Sequence, residues 1–299
     1  VMGSSKVTSS PARTVISAKP APKVPAAWPL ILTSTGAAIQ RGMRSFIVNG
    51  AAHSSTWMVT RPSSESVSGF AMPWPMLSRV FDEWVSVMSS TSFAVMSDCH
   101  YDKGIPYVRE RFHRALEIVY AYADGQGYQG LDALYVNGDF INRSTRAQME
   151  LFHKDAMACL RKNTRLVLTM ANHDLHYVPD DRAPMRDFAE IFGQPYDIHT
   201  VIKGYHFISL STEKTDANEW HDSFGEGKRR FLADALREAY AENPKRPIFV
   251  FQHPGIPGTI HGGRYGNDQL LDLLKPYHTV VDFSGHSHLP VSDPREIDQ

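Results

Sequence analysis

The sequence predicts an α/β fold with a largely parallel sheet over residues 91–299. Short apolar runs of strand length alternate there with longer segments of helical periodicity, a pattern typical of α/β domains. The composition, 42% hydrophobic and 21% charged, is that of an ordinary globular protein. A chain of 299 residues fits one large α/β domain or two smaller ones.

Six apolar runs have the length and composition of buried strands. They lie at 91–98, 131–139, 165–174, 205–211, 247–253 and 279–285. The segments between them have helical spacing, as where Phe112, Leu116 and Val119 fall on one face. The predicted helices are 106–124, 144–162 with a Ser/Thr cap at its start, 182–192, 226–242 and 267–275.

The first ninety residues differ from the rest. Residues 1–81 contain eight Lys and Arg against one acid, Glu65, a net charge of +7; since the whole chain carries −1, residues 82–299 carry −8. A basic, Ser-rich start resembles a targeting segment, although Pro29 interrupts its apolar run, and a disordered leader is the simpler interpretation. We therefore expect a leader or poorly ordered region over 1–88 and a folded domain over 89–299.

Several classes of protein are disfavoured by the same composition. Two cysteines, Cys99 and Cys159, provide no disulfide framework. No segment approaches the run of about 20 apolar residues that a membrane span needs. The near-zero net charge gives no general attraction to nucleic acid, so we expect neither a membrane span nor stable nucleic-acid binding.

Metal-ligand residue types recur at the carboxyl ends of the predicted strands. The first strand runs into "DCH" at 98–100, the second into "GD" at 138–139 and the third into "ANHD" at 171–174. His253 and "GHSH" at 285–288 follow two later strands. Because sites in open α/β sheets form outside the carboxyl ends of the strands, we expect these segments to converge.

The expected ligand set holds four imidazoles, two carboxylates and one amide oxygen. Its members are Asp98, His100, Asp139, Asn172, His253, His286 and His288. Nitrogen and oxygen ligands without thiolate favour Zn, Mn, Fe or Co. Seven ligands exceed the tetrahedral set of one ion, and they indicate two divalent ions about 3.5–4 Å apart that share Asp139.

These blocks resemble the calcineurin-like metallophosphoesterase superfamily, whose pattern is D-x-H, G-D, G-N-H-D/E, a lone H and G-H-x-H. All five blocks appear in order over residues 91–299. The segment "IKGYHFISL" at 202–210 also resembles bacterial, often exported, small-molecule members. The resemblance implies a four-layer αββα sandwich. The family usually continues with further strands, so a C-terminally incomplete domain is expected from the end at Gln299.

The resemblance also implies a role for each residue. One metal would be held by Asp98, His100 and His288, the other by Asn172, His253 and His286, with Asp139 as the bridge. A hydroxide bridging the two metals would attack phosphorus in line. His173 would protonate or stabilise the leaving oxygen, and Asp174 would orient His173.

Two positions depart from the family pattern. Ala171 stands where the family usually has Gly, and we expect its side chain to strain the turn. Asn142 stands where Asp is common. Neither change removes a ligand.

Candidate substrate contacts lie close to the expected ligands. Arg143 follows the bridging Asp139 and either binds phosphate oxygens or is a surface residue at a helix start. His261 and Arg264 lie in the Gly-rich segment 254–266 and contact either substrate or solvent. His176 follows the third block and could face the site.

The leading hypothesis is therefore a hydrolase with two metal ions that cleaves a phosphodiester or phosphomonoester of a small molecule or nucleotide. A nuclease of the same superfamily is an alternative, weakly disfavoured by the charge of −8 over residues 82–299. A non-catalytic scaffold is another alternative. Scaffold members of the superfamily typically lose ligands, whereas this chain retains them all. The sequence does not decide between an exported and a cytoplasmic location.

Overall fold

The structure is a computed structural model that describes residues 31–34, 44–48, 57–61, 91–125, 128, 130–176, 178, 180–215, 218–259 and 269–288. The strands are β1 (Ile31–Ser34), β2 (Arg44–Val48), β3 (Trp57–Arg61), β4 (Thr91–Met96), β5 (Ala133–Asn137), β6 (Arg165–Thr169), β7 (Ile198–Ile202), β8 (Tyr205–Ser209), β9 (Glu213–Thr215), β10 (Asn218–Ser223), β11 (Ile248–Phe251) and β12 (Val280–Phe283). The helices are α1 (Pro106–Gly125), α2 (Arg146–Cys159), α3 (Asn172–Leu175), α4 (Arg182–Phe192), α5 (Glu226–Glu242) and α6 (Gln269–Leu274).

The first sheet has the strand order β2-β3-β1-β4-β5-β6. Its β4, β5 and β6 are parallel, with Phe93 opposite Ala133 and Ala133 opposite Arg165. Helices α1 and α2 form the crossovers that parallel strands require. The carboxyl ends of these three strands consequently lie at one edge of the sheet.

The second sheet has the order β12-β11-β8-β7. Strands β8, β11 and β12 are parallel, with Phe251 opposite both Ser209 and Phe283. Strand β7 is antiparallel to β8. The tight turn between them uses Lys203 and Gly204, which both have positive φ, as two-residue hairpins prefer. A separate two-stranded ribbon joins β9 and β10.

An aromatic layer holds the two sheets face to face. The Phe93 ring lies 4.9 Å from that of Phe207 and 5.0 Å from that of Phe249, and Tyr135 stacks on Phe251 at 4.2 Å. All five side chains are buried. Alternate residues of each strand point into this layer, because successive side chains leave a strand on opposite faces.

Helices cover the outer faces of the sheets. Leu232 of α5 and Leu270 of α6 pack against Ile208 and Val250, which point away from the aromatic layer. Helices α1, α2 and α4 pack against the first sheet with the buried residues Phe112, Leu116, Met149, Phe152 and Phe188. The architecture is thus a four-layer αββα sandwich, which confirms the predicted fold class.

The predicted strands and helices all form, with shifted ends. Strand β4 ends at Met96 and β6 at Thr169, where the sequence predicts 98 and 174. The polar tails of the predicted strands leave the sheet to form loops, and residues 172–175 form the short helix α3. The predicted helix cap is Thr145, whose Oγ1 accepts a hydrogen bond from the Gln148 N–H at 3.3 Å.

Three strands come from the N-terminal region. Strands β1, β2 and β3 extend the first sheet beyond β4, with β1 antiparallel to β4. The sequence does not predict them. The division into a leader over 1–88 and a domain over 89–299 stays a prediction, since most of residues 1–90 lie outside the described ranges. Within the described chain, no helix combines the length and apolar character that a membrane crossing requires.

Candidate metal centre

The ends of β4 and β5 continue to pair beyond the strands. The Asp98 N–H donates to the Gly138 carbonyl at 3.1 Å, and the His100 N–H donates to the Asp139 carbonyl at 2.9 Å. In the second sheet, beyond the ends of β11 and β12, the Gly285 N–H donates to the His253 carbonyl at 2.8 Å. These bonds hold the polar segments of both sheets in register at one end of the molecule.

Left-handed backbone is concentrated in these loops. Six described non-glycine residues have positive φ, and five of them are predicted ligands: Asp98 (53°), His100 (43°), Asp139 (50°), His286 (69°) and His288 (52°). Such a conformation costs a non-glycine residue about 1–3 kcal/mol and persists only where the surroundings impose it. Strain of this kind marks functional sites, and here it turns successive polar side chains toward a common point.

The structure brings the predicted ligands into overlapping groups. The groups are Asp98 with His100 and His288, His100 with Asp139 and His173, and Asp139 with His253 and His286. Within each group, one ligand atom from every residue lies within 4.8 Å of the others. The shared members, His100 and Asp139, join the groups into one centre that can hold more than one ion.

The first group is built around the buried carboxylate of Asp98. Asp98 Oδ1 lies 3.1 Å from His288 Nε2 and 4.0 Å from His100 Nε2. Its Oδ2 accepts a 2.5 Å hydrogen bond from Ser97 Oγ. The His286 backbone N–H approaches the same carboxylate at 3.1–3.2 Å. His100 Nε2 and His288 Nε2 are 3.1 Å apart, so both ring nitrogens point to the same place.

The group of Asp139, His253 and His286 is more deeply buried. His253 is fully enclosed, and its Nε2 lies 3.1 Å from Asp139 Oδ2, with no hydrogen-bond partner of suitable geometry among the described residues. Asn172 is buried as well, and its Oδ1 has no hydrogen-bond donor within the described chain. Buried polar atoms are normally hydrogen-bonded, so both atoms meet the expectation for metal ligands.

The charges of the centre suit cations. Burial raises the pKa of Asp98, but His253 and His288 outweigh it and bring it to about 2. Burial lowers the pKa of His100 and of His286 to about 4, which keeps both imidazoles neutral at pH 7. Burial also lowers the pKa of His253, yet Asp139 and Asp98 overcome this and raise it to about 10. The carboxylates therefore hold positive charge at this point even in the metal-free chain.

His173 is oriented by a backbone carbonyl. Its ring Nδ1 lies 3.1 Å from the carbonyl oxygen of Asn142. The backbone N–H of His173 donates to Asp139 Oδ1 at 2.9 Å. The His173 ring meets the His100 ring edge-on at 4.5 Å. Because a carbonyl can only accept, Nδ1 carries a proton and Nε2 is left for a substrate.

Asp174 has a different role from the predicted one. Its carboxylate accepts hydrogen bonds from the backbone N–H groups of Asp139 (2.9 Å), Ile141 (3.0 Å) and Ala171 (2.8 Å). The prediction that Asp174 orients His173 is therefore wrong, because a carboxylate in the first turn of α3 points back at the unpaired N–H groups there. Asp174 instead fixes the loop that carries Asp139.

Three residues to which the sequence analysis gave no role support the centre. Asn137 donates from Nδ2 to the carbonyls of Gln252 (2.8 Å) and Phe283 (2.7 Å), joining β5 to the ends of β11 and β12. Gly138 has a φ of 79°, and a Cβ there would lie 2.5 Å from His253 Cγ. A Cβ on Gly285 would lie 2.6 Å from Asp98 Oδ2. A polar residue at the end of a buried strand and glycines before two ligands were the available signals.

The remaining predicted positions have mixed outcomes. Ala171 has φ −135° and ψ −167°, extended backbone that any residue adopts, so the expected strain is absent at this residue. Arg143 is exposed, and its N–H donates to Gln148 Oε1 at 2.8 Å. His176 lies beside His173, with ring centroids 5.1 Å apart. His261 and Arg264 lie outside the described residues.

Comparison with known proteins identifies the domain. The family model described as "Calcineurin-like phosphoesterase" matches residues 91–290. No curated protein sequence matches the chain. Among solved structures, the chain is similar to a purple acid phosphatase from yellow lupin (Lupinus luteus) seeds, with 13% identity and a TM-score of 0.45 over 67% of this chain and 40% of that one. The family match covers two thirds of the chain and includes all seven predicted ligands. The chain belongs to the calcineurin-like phosphoesterase family, a family of hydrolases that act on phosphate esters.

Proposed function

We propose that this chain hydrolyses a phosphodiester or phosphomonoester with two divalent metal ions, within a catalytic domain over residues 89–299. One ion would be held by Asp98, His100 and His288, and the other by Asn172, His253 and His286, with Asp139 between them. The convergence of the Asp and His members of this set from both sheets supports this assignment.

The observation that carries the proposal is the environment of two enclosed polar atoms. Asn172 Oδ1 has no hydrogen-bond partner among the described residues, and His253 Nε2 faces the carboxylates of Asp139 at 3.1 Å and of Asp98 at 3.7 Å. An enclosed polar atom without a partner costs about 1–3 kcal/mol, which a bound cation would offset. A scaffold protein with no metal would retain that cost for no evident gain.

The ions, when bound, would supply water of lowered pKa and Lewis-acid stabilisation of charge on phosphate oxygens. The residues of the chain would do the rest. His100 and His286 are neutral at pH 7 and so offer lone pairs without losing protons first. His173 Nδ1 stays bound to the Asn142 carbonyl, which leaves Nε2 to hold a proton toward the leaving oxygen.

The proposed substrate is a small phosphate ester or a nucleotide. Residues 82–299 carry a net charge of −8, which does not favour the long phosphate backbone of a nucleic acid. The exposed Arg143, near the bridging carboxylate in sequence, is the proposed contact for a phosphate oxygen.

The test is hydrolysis of bis(p-nitrophenyl) phosphate and p-nitrophenyl phosphate by chelator-stripped protein, before and after Mn²⁺ is restored. Asp139→Asn serves as the inactive variant, because the change removes the bridging charge with little change in volume. We expect activity only with metal and at least a 100-fold loss in the variant.

The two esters separate diester from monoester preference in the same assay. Metal-loaded, folded wild-type protein that hydrolyses neither ester would contradict a general phosphoesterase. Equal activity of wild type and Asp139→Asn would show that the hydrolysis arises elsewhere or from a contaminant.

A further inference from the structure

A second cluster of metal-ligand residues lies outside the proposed active site. His199 Nε2 is 2.8 Å from His206 Nδ1, and His206 Nε2 is 2.9 Å from Glu242 Oε2. His199 Nδ1 lies 3.7 Å from Glu238 Oε2. One ligand atom from each of His199, His206 and Glu238 lies within 4.8 Å of the others.

The cluster is assembled from three elements that are rigidly connected. His199 and His206 lie on β7 and β8, on the face that α5 covers, because Phe207 points into the aromatic layer on the other side. Glu238 and Glu242 are four residues apart on α5 and so share one face of the helix. The hairpin and the end of α5 thus present imidazole and carboxylate to each other.

We propose that His199, His206 and Glu238 form a third metal site, which takes a divalent transition-metal ion such as Zn²⁺ and fastens the β7–β8 hairpin to α5. Two imidazoles and one carboxylate are a common zinc ligand set, completed by water. Two nitrogen ligands of a tetrahedral zinc ion lie roughly 3.3 Å apart, given Zn–N distances of about 2.0–2.1 Å. The 2.8 Å between the His199 and His206 nitrogens opens to that separation with a small side-chain movement.

The surroundings of the histidines support ligation. His206 is almost fully buried and its Nε2 contacts Glu242, the arrangement in which a carboxylate orients a metal-bound imidazole. Burial and the neighbouring His206 lower the pKa of His199. Arg246 Nη1 donates to the Gly204 carbonyl and lies 3.8 Å from Glu242 Oε1. The negative charge of Glu242 is therefore paired with the Arg246 guanidinium. Glu238, with 67% of its side chain exposed, can move toward an ion.

This site is separate from the proposed active site. His206 lies opposite Ile248, at the amino end of β11, whereas His253 follows the carboxyl end of the same strand. Five residues of extended chain separate the two levels, roughly 16 Å at about 3.3 Å per residue. An ion here would contact neither the substrate nor the proposed catalytic ions.

The experiment measures bound Zn²⁺ by mass spectrometry in full-length protein that has been stripped and reloaded. His199→Gln and Glu238→Gln are the test variants, and His278→Gln, at an exposed histidine near Tyr240 of α5, is the control. We expect His199→Gln to bind one ion fewer than the wild type and His278→Gln to bind the same number. Glu242→Gln should keep the ion with about 10–100-fold weaker affinity.

A second measurement does not depend on the total number of bound Zn²⁺ ions. Added Zn²⁺, at about 100 times its Kd, should raise Tm by roughly 5–10 °C more in the wild type than in Glu238→Gln, whose exposed substitution should leave folding intact. Asp139→Asn should keep this increment, because the change lies in the other site. Equal stoichiometry and equal Tm increments in wild type, His199→Gln and Glu238→Gln would overturn the proposal and leave a metal-free hydrogen-bonded chain from Glu242 to His199.

Discussion

His253 Nδ1 lies 2.8 Å from the backbone carbonyl of Asn137, across the interface between the two sheets. Since a carbonyl only accepts, this contact places a proton on Nδ1 and aims Nε2 at Asp139 Oδ2, 3.1 Å away. A candidate ligand from the second sheet is therefore oriented by the first sheet. The candidate metal centre depends on how the sheets meet as much as on the candidate ligands themselves.

Asn137→Ala should destabilise the protein and weaken metal binding together. The substitution removes two hydrogen bonds to the carbonyls of Gln252 and Phe283, at a buried position. We expect a loss of about 2–4 kcal/mol in the free energy of unfolding, measured by urea denaturation of the metal-free protein. Asn163→Ala, at an exposed turn, is the control and should change it by less than about 0.5 kcal/mol. A similar loss of unfolding free energy in Asn137→Ala and Asn163→Ala would mean that Asn137 does not hold the sheets together.

Gly138→Ala should remove binding of the ion that we assign to Asn172, His253 and His286. Its Cβ would lie 2.5 Å from His253 Cγ and 2.6 Å from the Ala171 Cβ, and the residue has a φ of 79°. The His253 ring must move, which takes a ligand out of position, so we expect activity to fall at least 100-fold. Gly227→Ala is the control, because a Cβ there meets nothing within 4 Å and the helix gains from alanine. Full metal occupancy in Gly138→Ala would contradict this account.

His173→Gln should lower activity without loss of metal, and the effect should depend on the leaving group. A proton held toward the leaving oxygen is worth about 100–10,000-fold for a poor leaving group such as an alkoxide. A p-nitrophenolate needs less help, so its ester should be affected less. The measurement compares kcat for alkyl and p-nitrophenyl phosphates, with metal content determined on the same samples.

His153→Gln, on α2, is the control for His173→Gln and should leave both esters unaffected. An equal loss on both esters, or a loss of metal, would assign His173 to binding or to structure and not to leaving-group assistance.

Asp282 should make stability depend on pH. Burial raises its pKa to about 7, against the hydrogen bond from Gln252 Nε2 at 3.0 Å. The residue as a whole is half-buried, yet its Oδ1 is fully enclosed. In an unfolded chain its pKa is about 3.9, so the unfolded state ionises first as pH rises. The contribution of Asp282 is therefore fully present below about pH 4 and is lost as pH rises to about 7.

Asp282→Asn removes this titration and keeps a hydrogen-bonding side chain. We expect the variant to gain about 1–3 kcal/mol relative to the wild type between pH 4 and pH 8, after allowance for solvent screening. Urea denaturation at the two pH values measures it. A difference between variant and wild type that is the same at both pH values would show that Asp282 ionises normally in the folded protein.

The convergence of the candidate ligands could be predicted from sequence to a large extent. The blocks around Asp98, Asp139 and His253 follow apolar strands, and the rule for parallel sheets brings strand ends together. The helices and strands could be predicted because each leaves a periodic pattern of apolar residues within its own short segment of sequence. What failed was local detail at the loops: β6 ends before the third block, and Asp174 binds backbone N–H groups instead of His173.

The sequence by itself determined the alternation of strands and helices and the identity of the seven candidate ligands, because both rest on residue types and on periodicity along the chain. The family and the αββα layers followed from the resemblance of the five blocks to a known family. Only the tertiary structure decided how Asn137 joins the sheets, which ligands adopt left-handed backbone, and that His199 and His206 meet the carboxylates of α5. These relationships are contacts between segments far apart in sequence, or conformations that such contacts impose. No local pattern records them, since they exist only once the two sheets and their helices have packed.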